Sequence, residues 1–147
     1  MDQSLPQQID LQVVTPESRV VSESVISVSL PGRDGRLGIL PGHAPLVSEL
    51  AAGVISYEHG SKAEFLSVSG GFTEVLQGRV IVLAETAERS GEIDAERAER
   101  TKQRAEQRLR GTSGQGIDVE RAQAALARAL ARLEAARETP HAAARAR

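Results

Sequence analysis

The chain has 147 residues, of which 40% are hydrophobic and 26% charged, and its formal net charge is −2 at pH 7. It contains no cysteine, and only 2% of its residues are aromatic, which excludes disulfides, cysteine nucleophiles and base-stacking nucleic-acid surfaces. No stretch reaches the roughly 20 apolar residues that span a bilayer, and the three histidines have no metal-ligand spacing. We therefore expect a soluble protein of one or two small domains, without membrane insertion or a metal site.

Charge and composition change together after Glu88. Residues 1–88 carry 5 basic and 11 acidic side chains, a net charge of −6, whereas residues 89–147 carry 13 and 9, a net charge of +4. Val, Gly, Ser and Pro dominate the first part, and Ala, Arg, Glu and Leu dominate the second. Such a shift indicates separate structural units. We predict one unit at 1–88, a second at 89–138, and a disordered basic tail at 139–147, after the helix stop at Pro140.

The first unit has the pattern of short β-strands. Apolar and polar residues alternate with the period of a half-buried strand, and the apolar positions are Ile9, Leu11, Val13, Ile26, Val28 and Leu30. Further strands are predicted at 54–57, 63–68 and 80–84. Glycine-containing turn signals separate these runs, at 34–35, 59–60, 70–71 and 77–78. Short strands at this spacing predict a β-sandwich or a barrel.

The second unit has the pattern of helices and contains an internal repeat. Ile-Asp-Ala-Glu-Arg-Ala at 93–98 recurs 24 residues later as Ile-Asp-Val-Glu-Arg-Ala at 117–122. Each copy is typical of a helix start, because an N-cap aspartate accepts hydrogen bonds from free backbone N–H groups and a glutamate suits the first turn. We predict helices over about 94–110 and 118–137, joined by a glycine-rich turn. The apolar seam of the second helix consists of Val119, Ala122, Leu126, Ala129, Leu133 and Ala136.

The candidate sites of the first unit have competing interpretations. The apolar, proline-containing segment 37–45 is either a partner contact or a structural corner. A catalytic role for His43 is disfavoured, because no serine, cysteine or carboxylate pattern beside it indicates a triad or a metal site. Gly70 and Gly71 are interpreted as a sharp strand connection, because no lysine followed by serine or threonine stands at P-loop spacing. No catalytic residue is predicted.

The arginines of the second unit are the strongest candidates for binding. Arg128 and Arg132 are four residues apart and share a helix face, and Arg121 lies seven residues before Arg128. They form either a clamp for phosphates or a solvated face that pairs with nearby glutamates. A nucleic-acid arm is disfavoured, because the interspersed glutamates would repel a phosphate backbone.

Several segments taken together resemble one family. They are residues 35–47, the run Ser-Gly-Gly-Phe-Thr-Glu-Val at 69–75, residues 80–84 and residues 92–98. In order and spacing they resemble the epsilon subunit of the bacterial or chloroplast ATP synthase, over nearly the whole chain. The resemblance implies an α+β fold in which an N-terminal antiparallel β-sandwich precedes a C-terminal antiparallel two-helix hairpin, in agreement with the patterns above.

The resemblance also implies a function. It implies a non-catalytic central-stalk subunit of the proton-translocating F-type enzyme, peripheral on the cytoplasmic side of the inner cell membrane. Such a subunit helps to couple ring rotation to the catalytic sector, and its hairpin regulates ATP hydrolysis. The expected partners are the gamma subunit, the c-subunit rotor ring and, in an inhibitory state, the alpha and beta subunits. The alternative is a free-standing ATP-sensing regulatory module, which co-purification would distinguish.

Some bacterial members of this family bind ATP through an Ile-Asp-x-x-Arg-Ala motif and arginines of the second helix. The positions of this chain that match are Glu88, Ile93, Asp94, Arg97, Ala98, Arg128 and Arg132. ATP is therefore expected as a regulatory ligand, and no cofactor is required.

Two contact surfaces are predicted for the assembled complex. A proline-stiffened projection presents a preformed surface at little ordering cost, and we expect it to touch the rotor ring through Arg33, Asp34, Arg36, Leu40, Pro41, Gly42 and His43. The extended, inhibitory hairpin is expected to meet acidic surface on the catalytic subunits. The arginines assigned to that contact are Arg104, Arg108, Arg121 and Arg128.

Overall fold

The structure is a computed structural model that describes residues 7–111 and 118–138 and the backbone of residues 141–142. The strands within these residues are β1 (Ile9–Val14), β2 (Arg19–Val25), β3 (Ser27–Gly32), β4 (Gly35–Ile39), β5 (Leu46–His59), β6 (Lys62–Leu76), β7 (Arg79–Ala84), β8 (Ala87–Arg89) and β9 (His141–Ala142). A short 3₁₀ turn (Ser90–Glu92) leads to the helices α1 (Ala95–Arg110) and α2 (Val119–Arg137). The predicted fold class, a β-sandwich followed by a two-helix hairpin, is confirmed.

The two long strands β5 and β6 belong to both layers of the sandwich. The strand order is β2-β1-β7-β6-β5-β3-β4, with β8 paired to the first half of β6. One layer therefore contains β2, β1, β7 and the adjoining halves of β6 and β5, and the other contains the remaining halves with β3, β4 and β8. The pair β1 and β7 is parallel, whereas the other strand pairs among the described residues are antiparallel.

The sandwich core follows the predicted alternation, with one exception. Val28 and Leu30 are buried together with Ile9, Leu11 and Val13 in a single hydrophobic cluster. Ile26 has the same parity as Val28, yet 38% of its surface is exposed, because it lies at the bend between β2 and β3. The alternation fails where the strand ends.

Gly70 and Gly71 do not form the predicted connection between strands. Both lie within β6, with φ values of 121° and 129°, at the point where β6 leaves β8 and begins to pair with β7. Positive φ angles are readily adopted only by glycine. The glycine pair therefore marks the bend that carries one strand from one layer to the other.

The hairpin packs on the outer face of the second layer. α1 buries Ala98 and Ala105, and α2 buries four alanines, Ala122, Ala129, Ala131 and Ala135. α2 contacts both α1 and the strands β5 and β6. Small side chains permit this close approach, but each contributes little apolar area. Among the described helices, none is long and apolar enough to cross a bilayer.

The structure refines the predicted boundaries of the two units. β8 continues through Arg89, so the sandwich extends at least one residue past the predicted limit at 88. The glycine-rich turn between the helices lies mostly outside the described residues. In the tail that was predicted to be disordered, the backbone of residues 141–142 pairs with Lys62 and Ala63 of β6, and its other residues lie outside the description.

Candidate functional site

A polar cavity of about 260 Å³ lies where the sandwich meets the hairpin. Its lining comes from β8, the 3₁₀ turn, the start of α1 and the second half of α2, and consists of Glu88, Glu92, Asp94, Arg97, Ala98 and Arg132. Residues 44 positions apart in the sequence meet here, because the hairpin returns the end of α2 to the start of α1. Three carboxylates and two guanidinium groups face one space.

The start of α1 is fixed by its N-cap. Oδ1 of Asp94 accepts a hydrogen bond from the backbone N–H of Arg97 at 3.0 Å, as the sequence predicted. Asp118 caps α2 in the same way, through the N–H of Arg121 at 3.0 Å. The two copies of the repeat are therefore structurally equivalent as helix caps, but only the first lines the cavity.

An ion pair joins two of the residues that line the cavity. Nε of Arg132 donates a hydrogen bond to Oε1 of Glu88 at 2.6 Å, and about one third of each side chain is exposed. A hydrogen bond between two charged groups at this distance is strong. Arg97 is exposed and has no ion-pair partner among the described residues, so its guanidinium group is available to an anion.

Most, but not all, of the predicted ATP-binding residues meet at the cavity. Glu88, Asp94, Arg97, Ala98 and Arg132 line it, whereas Ile93 and Arg128 are not among its lining residues. The backbone N–H of Ile93 bonds to Ser90 O and ends the 3₁₀ turn. Arg128 lies about one helical turn before Arg132.

Glu92 lines the cavity although it was not predicted as a site residue. It precedes the Asp94 cap by two positions, in the 3₁₀ turn that connects β8 to α1. No periodicity or spacing in the sequence distinguishes Glu92 from other surface glutamates. Its carboxylate reaches the cavity because of the path of the 3₁₀ turn, which the sequence pattern did not predict.

The structure divides the predicted ring-contact residues into two groups. The segment 33–43 is not one loop, because residues 35–39 form β4 and Ile39 is buried. At about 3.3 Å per residue, this strand separates the turn at Arg33 and Asp34 from the loop at Leu40 by roughly 16 Å. The two groups therefore lie at opposite ends of β4.

The turn end of β4 is held by charged side chains. Nη1 of Arg33 lies 2.6 Å from Oε2 of Glu49, and the hydrogen bond and attraction of Glu49 raise the pKa of Arg33. Arg36 points back to the sheet, where it donates hydrogen bonds to Ser29 Oγ and to the carbonyl oxygen of Val54. In an unbroken β3–β5 register Pro31 would lie opposite Val54, and proline has no N–H to donate. Arg36 supplies that missing donor.

The loop end of β4 is apolar and adjoins a larger apolar surface. Leu40 is 64% exposed and lies beside Leu76, at the β6–β7 turn. On the outer face of the first layer, Phe72 lies opposite Leu83 in register, and each is 56% exposed. Val47 on β5 is 71% exposed. Large side chains exposed next to one another on a sheet are typical of an interaction surface.

The comparisons with known proteins cover both units. Residues 8–90 match the family "ATP synthase, Delta/Epsilon chain, beta-sandwich domain", and residues 92–137 match "ATP synthase, Delta/Epsilon chain, long alpha-helix domain". The ATP synthase epsilon chain of Desulforamulus reducens is 53% identical over 126 residues, which cover 86% of this chain and 95% of that protein. The epsilon chain of Desulfitobacterium hafniense is 50% identical over 127 residues, with the same coverage.

Among solved structures, the chain resembles one chain of the Euglena gracilis mitochondrial ATP synthase, described as OSCP/F1/c-ring in rotational state 1. The TM-score is 0.79 at 27% sequence identity, and the match covers 94% of this chain and 86% of that chain. This chain belongs to the ATP synthase epsilon-chain family. The resemblance that the sequence motifs indicated is confirmed.

Three of the four arginines expected to act in an extended epsilon hairpin are exposed on the folded one. Arg104 and Arg108 on α1 and Arg121 on α2 are exposed, and Arg128 is half-buried. In the described part of the chain none of these four forms an ion pair, whereas Lys102 and Arg110 pair with glutamates of their own helix. The folded hairpin therefore leaves Arg104, Arg108 and Arg121 exposed to solvent.

Arg89 is a structural residue that the sequence interpretation missed in this epsilon-family chain. It donates hydrogen bonds to the Tyr57 hydroxyl at 3.0 Å and to Val20 O at 3.1 Å, and lies within 4 Å of Glu23 and Glu64. It thereby joins β8, at the edge of one layer, to β2, at the edge of the other.

The Arg89 cluster also changes the acidity of its members. Burial acts to lower the pKa of Arg89, but the hydrogen bond to Tyr57 and the attraction of nearby negative charges outweigh it, so the pKa is raised. Burial, together with a hydrogen bond to Glu64, raises the pKa of the Tyr57 phenol. The phenol therefore stays protonated in the folded chain at pH values where a free tyrosine ionises.

Proposed function

We propose that this chain is the epsilon subunit of the central stalk of a proton-translocating ATP synthase, peripheral to the cell membrane on its cytoplasmic side. It takes no catalytic part itself and helps to couple rotation of the ring to the catalytic sector. The observation that carries the proposal is the match of both units, in order, to the two domains of the family. Co-purification of the tagged chain with the gamma subunit, the ring and the catalytic subunits tests it. Recovery of the chain alone would support the free-standing ATP sensor instead.

The exposed apolar surface of the first layer is typical of a contact with a permanent partner, and we propose that this partner is the gamma subunit. Phe72, Leu83 and Val47, together with Leu40 in the adjoining loop, expose more apolar side chain than a solitary domain needs. Burial of such side chains favours a stable complex over a free sensor. Phe72→Glu should therefore abolish co-purification with gamma, whereas Glu74→Gln, on the same outer face, should leave it intact.

The rotor ring is proposed to meet the turn at the other end of β4. If gamma covers the apolar loop at Leu40 and His43, the turn at Arg33 and Asp34 remains for the ring, and the predicted contact set is divided between two partners. Because the chain has no cysteine, single variants Asp34→Cys and His43→Cys give specific crosslinks. We expect Asp34→Cys to crosslink to the ring and His43→Cys to gamma. If both positions crosslink to the ring, all of the predicted ring-contact residues belong to the ring contact and the division between two partners is wrong.

The cavity between β8 and the hairpin is proposed as a regulatory ATP site. Arg97 and Arg132 would meet the phosphates, and Asp94, Glu88 and Glu92 leave acceptors for a base or ribose. Its formal charge, two arginines against three carboxylates, is −1, so we expect weak binding, in the micromolar to millimolar range, or about −8 to −4 kcal/mol. Weak binding suits a sensor of cellular ATP, because a tight site would always be filled.

The internal repeat supplies a matched control for this site. Asp94→Ala and Asp118→Ala each remove one N-cap, at a cost of about 1 kcal/mol, but only Asp94 lines the cavity. Calorimetric titration with ATP should therefore show weakened binding for Asp94→Ala and unchanged binding for Asp118→Ala. Equal effects of the two variants, or no heat from the unaltered chain in millimolar ATP, would contradict the site.

The hairpin is proposed to inhibit ATP hydrolysis when it extends towards the alpha and beta subunits. Arg104, Arg108, Arg121 and Arg128 would then meet acidic surface, and added salt would weaken that attraction. Alanine at all four positions should raise hydrolysis by the reconstituted complex under inhibiting conditions. If hydrolysis remains as low as with the unaltered subunit, charge does not hold the extended hairpin.

A further inference from the structure

The contact between hairpin and sandwich contains little apolar surface. On the β5 side it includes Val54, which is buried but is not a member of the sandwich core cluster. Ile55 lies in that core, so the strand alternation places Val54 on the outer face, where α2 packs. On the helix side, the buried residues of α2 are all alanines, namely Ala122, Ala129, Ala131 and Ala135. Such a contact is easily separated.

One ion pair crosses this lean contact. Among the ion pairs of the described residues, only that between Arg132 and Glu88 joins a helix to a strand. Glu88 is held in β8 opposite Ser67 of β6, and the next residue, Arg89, is fixed by Tyr57 and Val20. The carboxylate therefore belongs to a rigid part of the sandwich, while the guanidinium group moves with the hairpin.

We infer that the Glu88–Arg132 pair is the latch that holds the hairpin on the sandwich in the nucleotide-free protein. The inference rests on the proposed movement of the hairpin, and it assigns to two cavity residues a role that requires no ligand. Breaking the pair removes the ion pair that joins α2 to β8 and leaves apolar packing to hold the helix on β5 and β6. A nucleotide phosphate that engages Arg132 has to share or replace Glu88, so the latch and the proposed ATP site use the same guanidinium group.

A single cysteine provides the measurement, because the chain has none of its own. In full-length Val54→Cys, the folded hairpin covers the thiol, so its rate of alkylation reports how often the hairpin leaves. Val82→Cys, in the sandwich core, reports unfolding of the whole sandwich. Each reporter is combined with Glu88→Gln, Arg132→Gln and both together, without nucleotide, with Arg137→Gln as the control for loss of an exposed charge on the same helix.

We expect each latch substitution to speed alkylation at position 54 about tenfold, since a hydrogen bond between partly exposed charged groups holds the closed state. The double variant should be no faster than the faster single variant, because both substitutions remove the same contact. Alkylation at position 82 should not change, and Arg137→Gln should behave like the unaltered chain. High salt should reduce the difference.

Two other results overturn the latch and are distinguishable. In the first result, the cysteine at position 54 is alkylated faster than the cysteine at position 82, but the latch substitutions do not change its rate, or their effects multiply in the double variant. The hairpin then leaves the sandwich, but a contact other than the Glu88–Arg132 pair holds it in place. If positions 54 and 82 react at the same rate in every variant, the hairpin does not leave the folded sandwich, and the proposed movement fails together with the latch.

Discussion

Replacement of Gly71 by alanine tests how the two-layer sandwich is built. Gly71 has a φ of 129°, and a Cβ atom there would overlap Leu83 O and lie 2.9 Å from Ala84 Cα. The φ angle alone costs about 1–3 kcal/mol in a residue other than glycine. To relieve the overlap, β7 has to move away, which disrupts one or two ladder hydrogen bonds at about 1 kcal/mol each. We therefore expect a loss of about 2–5 kcal/mol.

Two further glycines separate the components of this loss. Gly78 has a φ of 75° but open space around its Cβ position, so Gly78→Ala should cost only the backbone strain, about 1 kcal/mol. Gly38 has open space and no positive φ, so Gly38→Ala should change stability by less than about 0.5 kcal/mol.

The assay is urea unfolding of the full chain, followed by circular dichroism. If Gly71→Ala loses no more stability than Gly78→Ala, the close approach of β6 and β7 at this position does not control the fold. If Gly38→Ala is as damaging as Gly71→Ala, the expected difference between open and crowded positions is wrong.

Three more predictions concern the Arg89 cluster and the β3–β5 contact. Tyr57 is the only tyrosine of the chain, and its raised pKa predicts that tyrosinate absorbance appears at higher pH in the folded chain than in urea. Ionisation of Tyr57 should therefore not change the free energy of unfolding below about pH 10, the pKa of tyrosine in the unfolded chain. Above that pH it should lower the free energy of unfolding by up to about 1.4 kcal/mol per pH unit, and Tyr57→Phe should remove this contribution. Equal titration curves for the folded and unfolded chains would contradict the burial of the Tyr57 phenol. A chain truncated after Ser90 should unfold cooperatively. It should be about 2–3 kcal/mol more stable than a chain truncated after Glu88, because the shorter chain lacks the hydrogen bonds of Arg89. Equal urea midpoints for the two chains would show that Arg89 does not join the layers. Arg36→Met should lower the free energy of unfolding in urea by about 1–3 kcal/mol, because the carbonyl oxygen of Val54 loses its donor beneath the hairpin. Arg33→Met removes an exposed ion pair and should lower it by less than about 1 kcal/mol. Similar losses of stability in the two variants would contradict the role of Arg36.

The sequence by itself determined the local structure and the family. Alternation in residues such as Leu11 and Val28 predicted the strand faces, because side-chain direction in a strand has a period of two. The two aspartates of the repeat predicted both helix starts, because an N-cap acts on the backbone within three residues. The ordered motifs predicted the epsilon family, which the family and relative matches confirm.

Only the tertiary structure decided which distant residues meet. The bend at Gly71, the partnership of Arg36 with Val54 and the joining of two layers by Arg89 depend on contacts between residues far apart in the chain. The same holds for the cavity. The sequence predicted Arg128 and Arg132 as equivalent binding residues, but the packing of α2 placed Arg132 against Glu88. Local patterns carry no information about which strand or helix lies opposite, because that choice depends on how the whole core is packed.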